Sequence, residues 1–168
     1  MPKAVIGIET MEDITAVTGY FNLQTVGSGQ NAIYTESDTS NRQFMRLNGI
    51  DVFNYSLKTV PKNVIDLFNF AKLDIQFPDL YVFHQANKII NDSIARKLKL
   101  NMEKVPSSLH EYGNTASASI PLTLGTAWNQ TKINSNWIFI SGFGVGFSVA
   151  SALIYFAPKF CSAPIEIE

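Results

Sequence analysis

His84, Asn114 and the run Gly142-Phe-Gly-Val-Gly146 are the residues of this chain whose types could do chemistry together. A neutral imidazole and a side-chain amide each offer an N–H without a full charge to desolvate. Either could act in catalysis as a hydrogen-bonding group. Glycines at such density bring backbone N–H groups close to a ligand. Each feature also has a plainer explanation. A histidine that follows an apolar run is often satisfied by a backbone carbonyl. Asn and Thr are good helix caps and turn formers, and a glycine run suits an ordinary hairpin. Other chemistries fit less well. His110 stands at no metal-ligand spacing from His84 and nearby carboxylates are sparse, so no metal is expected. The glycine run is followed by a strand pattern instead of a helix, which removes the context of a dinucleotide fingerprint.

These residues need a scaffold that brings them to one place, and the sequence supplies a pattern for it. Open α/β sheets gather functional groups beyond the carboxyl ends of strands. Leu80–Phe83 reads as a short buried strand ending on His84, Ser107–Leu109 as a brief strand before Asn114, and Trp137–Ser141 as a strand before the glycine turn. Phe147–Phe156 reads as a last strand, Ala4–Ile8 as a first one. Weaker strand signals lie at Tyr20–Val26 and Ala32–Tyr34, separated by Gly27-Ser-Gly-Gln30 and followed by the polar run Glu36–Gln43. Phe53, Leu57, Val60, Val64, Leu67 and Ala71 mark one face of a helix, and Pro61 inside it is expected to kink it or cost a hydrogen bond. Further helices are expected over Ala86–Lys99, with Ile90, Ile94 and Leu98 inward, and over Ala116–Gln130. The pattern predicts an α/β fold with a mixed five-stranded sheet covered by helices. One domain over residues 1–158 and a tail over 159–168 are expected.

Composition limits the partners. The chain has 168 residues, 46% of them apolar and 12% aromatic, enough for a sizeable core. A net charge of −1 gives no overall attraction to nucleic acid or to an acidic membrane surface. No apolar stretch reaches the roughly 18 residues of a membrane-spanning helix. The single cysteine, Cys161, rules out an intrachain disulfide framework and fits a reducing cytoplasmic setting.

As an ordered set the motifs are more specific than any one of them. His84-Gln-Ala-Asn87, Ala95-Arg-Lys-Leu98, Met102-Glu-Lys-Val105, Tyr112-Gly-Asn-Thr-Ala-Ser-Ala-Ser-Ile-Pro121 and Gly142-Phe-Gly-Val-Gly-Phe147, preceded by Leu47-Asn-Gly-Ile-Asp-Val-Phe53, resemble the second half of β-ketoacyl-acyl-carrier-protein synthase III. The resemblance spans roughly Ala4 to Phe156 and implies a thiolase-like fold, of which this chain would be the C-terminal half. It implies a decarboxylative Claisen condensation of acyl-coenzyme A with malonyl-acyl carrier protein in fatty acid biosynthesis, with no bound cofactor. His84 and Asn114 match the family's catalytic pair. Val145 falls in the oxyanion loop where the family usually has glycine, and a positive φ there would strain a β-branched residue. Leu47, Asn48, Gly49, Asn87 and Phe143 match substrate-tunnel positions. Lys88, Arg96 and Lys97 would meet the acidic carrier protein, although Ile89 stands where the family often has arginine.

The family's nucleophilic cysteine belongs to the first half. Cys161 has no neighbouring histidine and no helix N-terminus to lower its pKa. The chain alone is therefore expected to be inactive, to need an N-terminal half, and to self-associate through the apolar face that half would cover. Two other functions stay open: a related thiolase-superfamily acyltransferase of a specialised pathway, and a non-catalytic carrier-protein-binding module.

Overall fold

The computed structural model describes residues 3–5, 8–10, 19–128, 130, 136–156, 158–161 and 165–167. In chain order these form β1 (Lys3–Val5), β2 (Ile8–Thr10), β3 (Gly19–Thr25), β4 (Ile33–Ser37), β5 (Gln43–Leu47), α1 (Gly49–Ala71), β6 (Leu80–Phe83), α2 (Lys88–Lys97), α3 (Leu109–Tyr112), α4 (Ser119–Trp128), β7 (Trp137–Gly144), β8 (Ser148–Tyr155), β9 (Pro158–Cys161) and β10 (Ile165–Ile167).

Four strands make the main sheet in the order β3-β8-β7-β6. β6 runs parallel to β7, whereas β7–β8 and β8–β3 are antiparallel. The mixed sheet with helices on its faces is the expected α/β arrangement, but it has four strands among the described residues where five were expected. One reason is Ser107–Leu109, which is not a strand. The Ser108 N–H donates to Gln85 Oε1 (3.2 Å), and the Ser108 hydroxyl lies 2.6 Å from Thr123 Oγ1. The Gln85 side chain takes the Ser108 N–H that a strand ladder would use, and the segment turns into α3.

Alternation along β6 builds the core on both faces of the sheet. Tyr81 and Phe83 point to one side and join Phe139 and Leu153 under Val60, Val64 and Leu67 of α1 and Ile90 and Ile94 of α2. Leu80 and Val82 point to the other and meet Ile138 with Leu124 and Ala127 of α4. Burying a side chain of this size contributes about 1.5–3 kcal/mol, so β6, buried at all four positions, is the best-anchored strand. The residue that follows it inherits that rigidity.

Helix α1 is continuous through Pro61, and the expected cost there is a hydrogen bond. Pro61 has no N–H to give the Leu57 carbonyl. Lys97 Nζ, on the last turn of α2, donates to that carbonyl at 2.7 Å instead. The helix starts at Asn48, whose Oδ1 accepts from the Asp51 N–H at 3.2 Å, and it ends at left-handed Lys72.

β4 and β5 form an antiparallel hairpin, turned by Asp38 Oδ1 accepting from Ser40 N–H (2.8 Å) and Arg42 N–H (3.0 Å). The chain ends pair too: β1 with β10 and β2 with β9. The segment expected as a tail thus holds two short strands. The Ala4–Ile8 reading corresponds to β1 and the first residue of β2, with residues 6 and 7 outside the described set. No helix among the described residues is long and apolar enough to cross a membrane.

Candidate active site

His84 extends the β6–β7 ladder by one residue, its N–H donating to the Ser141 carbonyl at 2.8 Å. Its own carbonyl accepts from Asn91 Nδ2 of α2 at 3.0 Å, so strand and helix both fix its backbone. The ring Nδ1 lies 2.7 Å from Ser119 Oγ at the start of α4, and the ring edge packs against Phe143 at 5.4 Å. Burial lowers the histidine's pKa below its ordinary 6.5, partly opposed by a backbone hydrogen bond at Ala116. The imidazole is therefore neutral at pH 7.

Asn114 follows α3 and Gly113, whose positive φ of 65° lets the chain turn back. Its Oδ1 accepts from the Ala116 N–H at 3.0 Å, an Asx turn, and its Nδ2 makes a long 3.4 Å contact to the Ala86 carbonyl. The amide is oriented by one good bond on its oxygen, and its donor end is weakly engaged. Underneath, the buried Gln85 links the two segments: its Nε2 donates to the Phe83 carbonyl (2.8 Å), and its Oε1 accepts from Ser107 Oγ (3.1 Å) and Ser108 N–H.

The glycine run is only partly a turn. β7 continues through Gly144, and Val145–Phe147 makes a single 3-10 turn before β8. The positive φ belongs to Gly146 (133°), so Val145 escapes the strain that a β-branched residue would suffer there. Phe147, buried, ties this turn to the preceding loop through paired bonds with Val26 (2.8 and 3.1 Å). Gly29 sits against it so closely that a Cβ would lie 2.7 Å from Phe147 Cβ.

His84, Asn114, Phe143 and Val145 meet in one cleft of about 500 Å³, with Ile33, Met45 and Leu47 from the hairpin as its apolar wall. Leu47 also borders a neighbouring surface cleft with Asn48 and Gly49. Asn87 does not line the first cleft; its Oδ1 caps α2 by accepting from the Ile90 N–H at 2.9 Å. Lys88 and Arg96 stand exposed on α2 and share Asp92, at 2.9 and 3.7 Å. Lys97 faces α1, as described above.

Sequence reasoning missed Ser119, Ile33 and Met45. Met45 and Leu47 alternate on β5, a period-two signal hidden because its strand began inside a polar run. Ser119 sits in a run of small residues and carries no pattern of its own.

Comparison with known proteins bears on this cleft. Residues 68–156, more than half of the chain, match the sequence profile described as 3-oxoacyl-[acyl-carrier-protein] synthase III C terminal. A β-ketoacyl-[acyl-carrier-protein] synthase III of Prochlorococcus marinus subsp. pastoris is 32% identical over 163 residues, which cover 89% of this chain and 48% of that protein. The crystal structure of 3-oxoacyl-(acyl carrier protein) synthase III from Pseudomonas aeruginosa PAO1 superimposes with a TM-score of 0.74 and 27% identity, over 82% of this chain and 43% of that one. The priming β-ketosynthase of the R1128 polyketide pathway gives a TM-score of 0.75 at 25% identity, over 88% and 47%. The chain spans about half the length of these relatives.

Proposed function

The chain belongs to the 3-oxoacyl-[acyl-carrier-protein] synthase III family, and on that premise we propose that it is the half of a condensing enzyme that handles malonyl-acyl carrier protein. The observation that carries this reading is the convergence of His84, Asn114 and the Val145 turn on one cleft. In the proposed reaction the malonyl thioester loses carbon dioxide, and the electron pair of the broken C–C bond is shared between the α-carbon and the thioester oxygen as an enolate. His84 and Asn114 hold the resulting enolate oxygen with uncharged N–H donors. The enolate carbon then attacks an acyl group carried from acyl-coenzyme A on a cysteine of an N-terminal half. The Val145 N–H receives the tetrahedral oxyanion, and the cysteine sulfur leaves as thiolate. The expected setting is the cytoplasm.

The surface supports the need for a second body. Phe21 and Leu23 of β3 are 62% and 78% exposed, opposite Ala152 and Ala150 of β8. An apolar sheet edge left open is a docking face. The proposed occupant is a cysteine-bearing first half, and without it the chain self-associates there. Lys88 and Arg96 are the proposed contacts for the acidic carrier protein, whereas Lys97 is better placed as a structural donor to α1.

Co-expression with a cysteine-bearing first half from a relative should yield condensation of acyl-coenzyme A with malonyl-acyl carrier protein. His84→Ala and Asn114→Ala should each lower the rate by about a hundredfold or more. Rates unaffected by both substitutions would refute the proposal, as would turnover by the isolated chain refute the need for a partner half. The likeness to the R1128 priming enzyme supports a second reading, an acyltransferase of a specialised pathway. Acyl-donor profiling of the reconstituted enzyme separates the two. A carrier-binding module without chemistry would bind the carrier yet give no product.

A further inference from the structure

We propose that Ser119 is a positioning residue that places the single proton of the neutral His84 ring on Nε2, an inference whose catalytic meaning rests on the function proposed above. Ser119 is 1% exposed, and its hydroxyl has two neighbours. The Gln85 backbone N–H donates to Oγ at 3.2 Å, and His84 Nδ1 lies 2.7 Å away. A hydroxyl carries one proton. The Gln85 N–H takes one of its lone pairs, and the acceptor the structure offers to the hydroxyl proton is His84 Nδ1.

Ser119 O–H thus donates to Nδ1, which must be unprotonated, and Nε2 carries the ring proton. In the opposite tautomer Nδ1–H would donate to Oγ, and the buried hydroxyl proton would lose its acceptor. One net hydrogen bond of this kind is worth about tenfold in the tautomer ratio. The serine is itself held in place: its carbonyl accepts from Thr123 Oγ1 at 2.8 Å, and Thr123 Oγ1 lies 2.6 Å from Ser108 Oγ. Strand end, α4 and the loop before Asn114 are joined by this column of hydroxyls. Because burial keeps the ring neutral, the tautomer decides whether Nε2 is a donor or an acceptor toward a developing oxyanion. Only the donor form serves the proposed enolate.

The test reads the tautomer without substrate or turnover, so it stands or falls separately from the function. The full chain carrying His110→Gln, which removes the other, exposed histidine, is labelled with ring-15N histidine. It is then examined by long-range proton–nitrogen NMR at about pH 8, above the ordinary histidine range. The expected result is a protonated Nε2 and an unprotonated Nδ1. Adding Ser119→Ala should lower the ratio of the two tautomers about tenfold, and Ser119→Thr, which keeps the hydroxyl, should restore it. A protonated Nδ1 in the parent chain overturns the proposal. So does an unchanged ratio in folded Ser119→Ala, or a threonine that leaves the ratio at the alanine value. If Ser119→Ala does not fold, the parent spectrum decides.

Discussion

Replacing Lys97 with methionine removes the donor that reaches the Leu57 carbonyl while keeping the length of the side chain. The bond is 2.7 Å from a charged donor, and hydrogen bonds to charged groups stabilise by about 1.5–3 kcal/mol. Lys97 is exposed to water, which lowers its contribution toward about 1 kcal/mol. For a chain of this size that loss lowers Tm by about 2–4 °C. The same change at Lys88, whose partner is Asp92 on the exposed face of its own helix, should cost less than about 0.5 kcal/mol. The informative measurement is a double-mutant cycle with Pro61→Ala, read by urea denaturation. Pro61→Ala has its own cost, since Pro61 is buried in the core, but it restores an N–H that can bond Leu57. Lys97→Met should then be nearly silent, leaving a coupling of about 1 kcal/mol. An equal cost in both backgrounds would show that Lys97 is not compensating for the proline.

Three further perturbations probe the site. Gly29→Ala drives a Cβ against Phe147 at 2.7 Å and should destabilise by about 1–3 kcal/mol; Gly27→Ala, with nothing within 4 Å, is the control, and equal Tm values for the two would contradict the packing described. His84 has a folded pKa below its ordinary 6.5 because burial disfavours the cation. The unfolded chain therefore binds more protons below pH 6.5, and stability is full above that value and declines as pH falls through it toward the folded pKa. His84→Asn should flatten this part of a pH–Tm curve, and an unaltered curve would count against the assignment. Lys88→Glu combined with Arg96→Glu should weaken binding of an acidic carrier protein most strongly at low salt, with Tm unchanged; binding insensitive to both charge and salt would remove α2 as the docking face.

How much of this was legible depended on burial. Leu80–Phe83 could be read to the residue because four apolar side chains, two for each face, leave no other assignment, and His84 followed from it. The face of α1 was equally plain, since Val60, Val64 and Leu67 are all in the core. The hairpin β4–β5 was half missed because most of its residues are exposed, and the short alternation of Met45 and Leu47 is masked by the polar run in which β5 begins. Ser107–Leu109 has strand-like neighbours but spends its hydrogen bonds on Gln85 and Thr123, a tertiary choice that local pattern does not record. The same holds for the site. His84 and Asn114 were recognisable from motif order, yet Ser119, which touches the histidine, lies among Ala116, Ser117 and Ala118, and nothing in its type distinguishes it from them. Pro61 is half legible in the same way: the local rule gives the hydrogen bond it costs, but not the lysine 36 positions later, 97 against 61, that supplies the Leu57 carbonyl with another donor.

The order of strands in the sheet has a consequence for how the site comes into being. β8 lies between β7 and β3, and its first partner, Gly19, pairs with Ile154 near the other end of the sheet's sequence. Loop-closure entropy makes such distant pairings slow to form. While the chain is being synthesised, α1, β6 and α2 emerge with their mutual contacts available, but β3 must wait with its ladder N–H and C=O groups unpaired until Ser148–Tyr155 has left the ribosome. The cleft, which needs the β7–β8 turn as one wall, is assembled last, and the exposed strand that waits for it is the segment most in need of protection during translation.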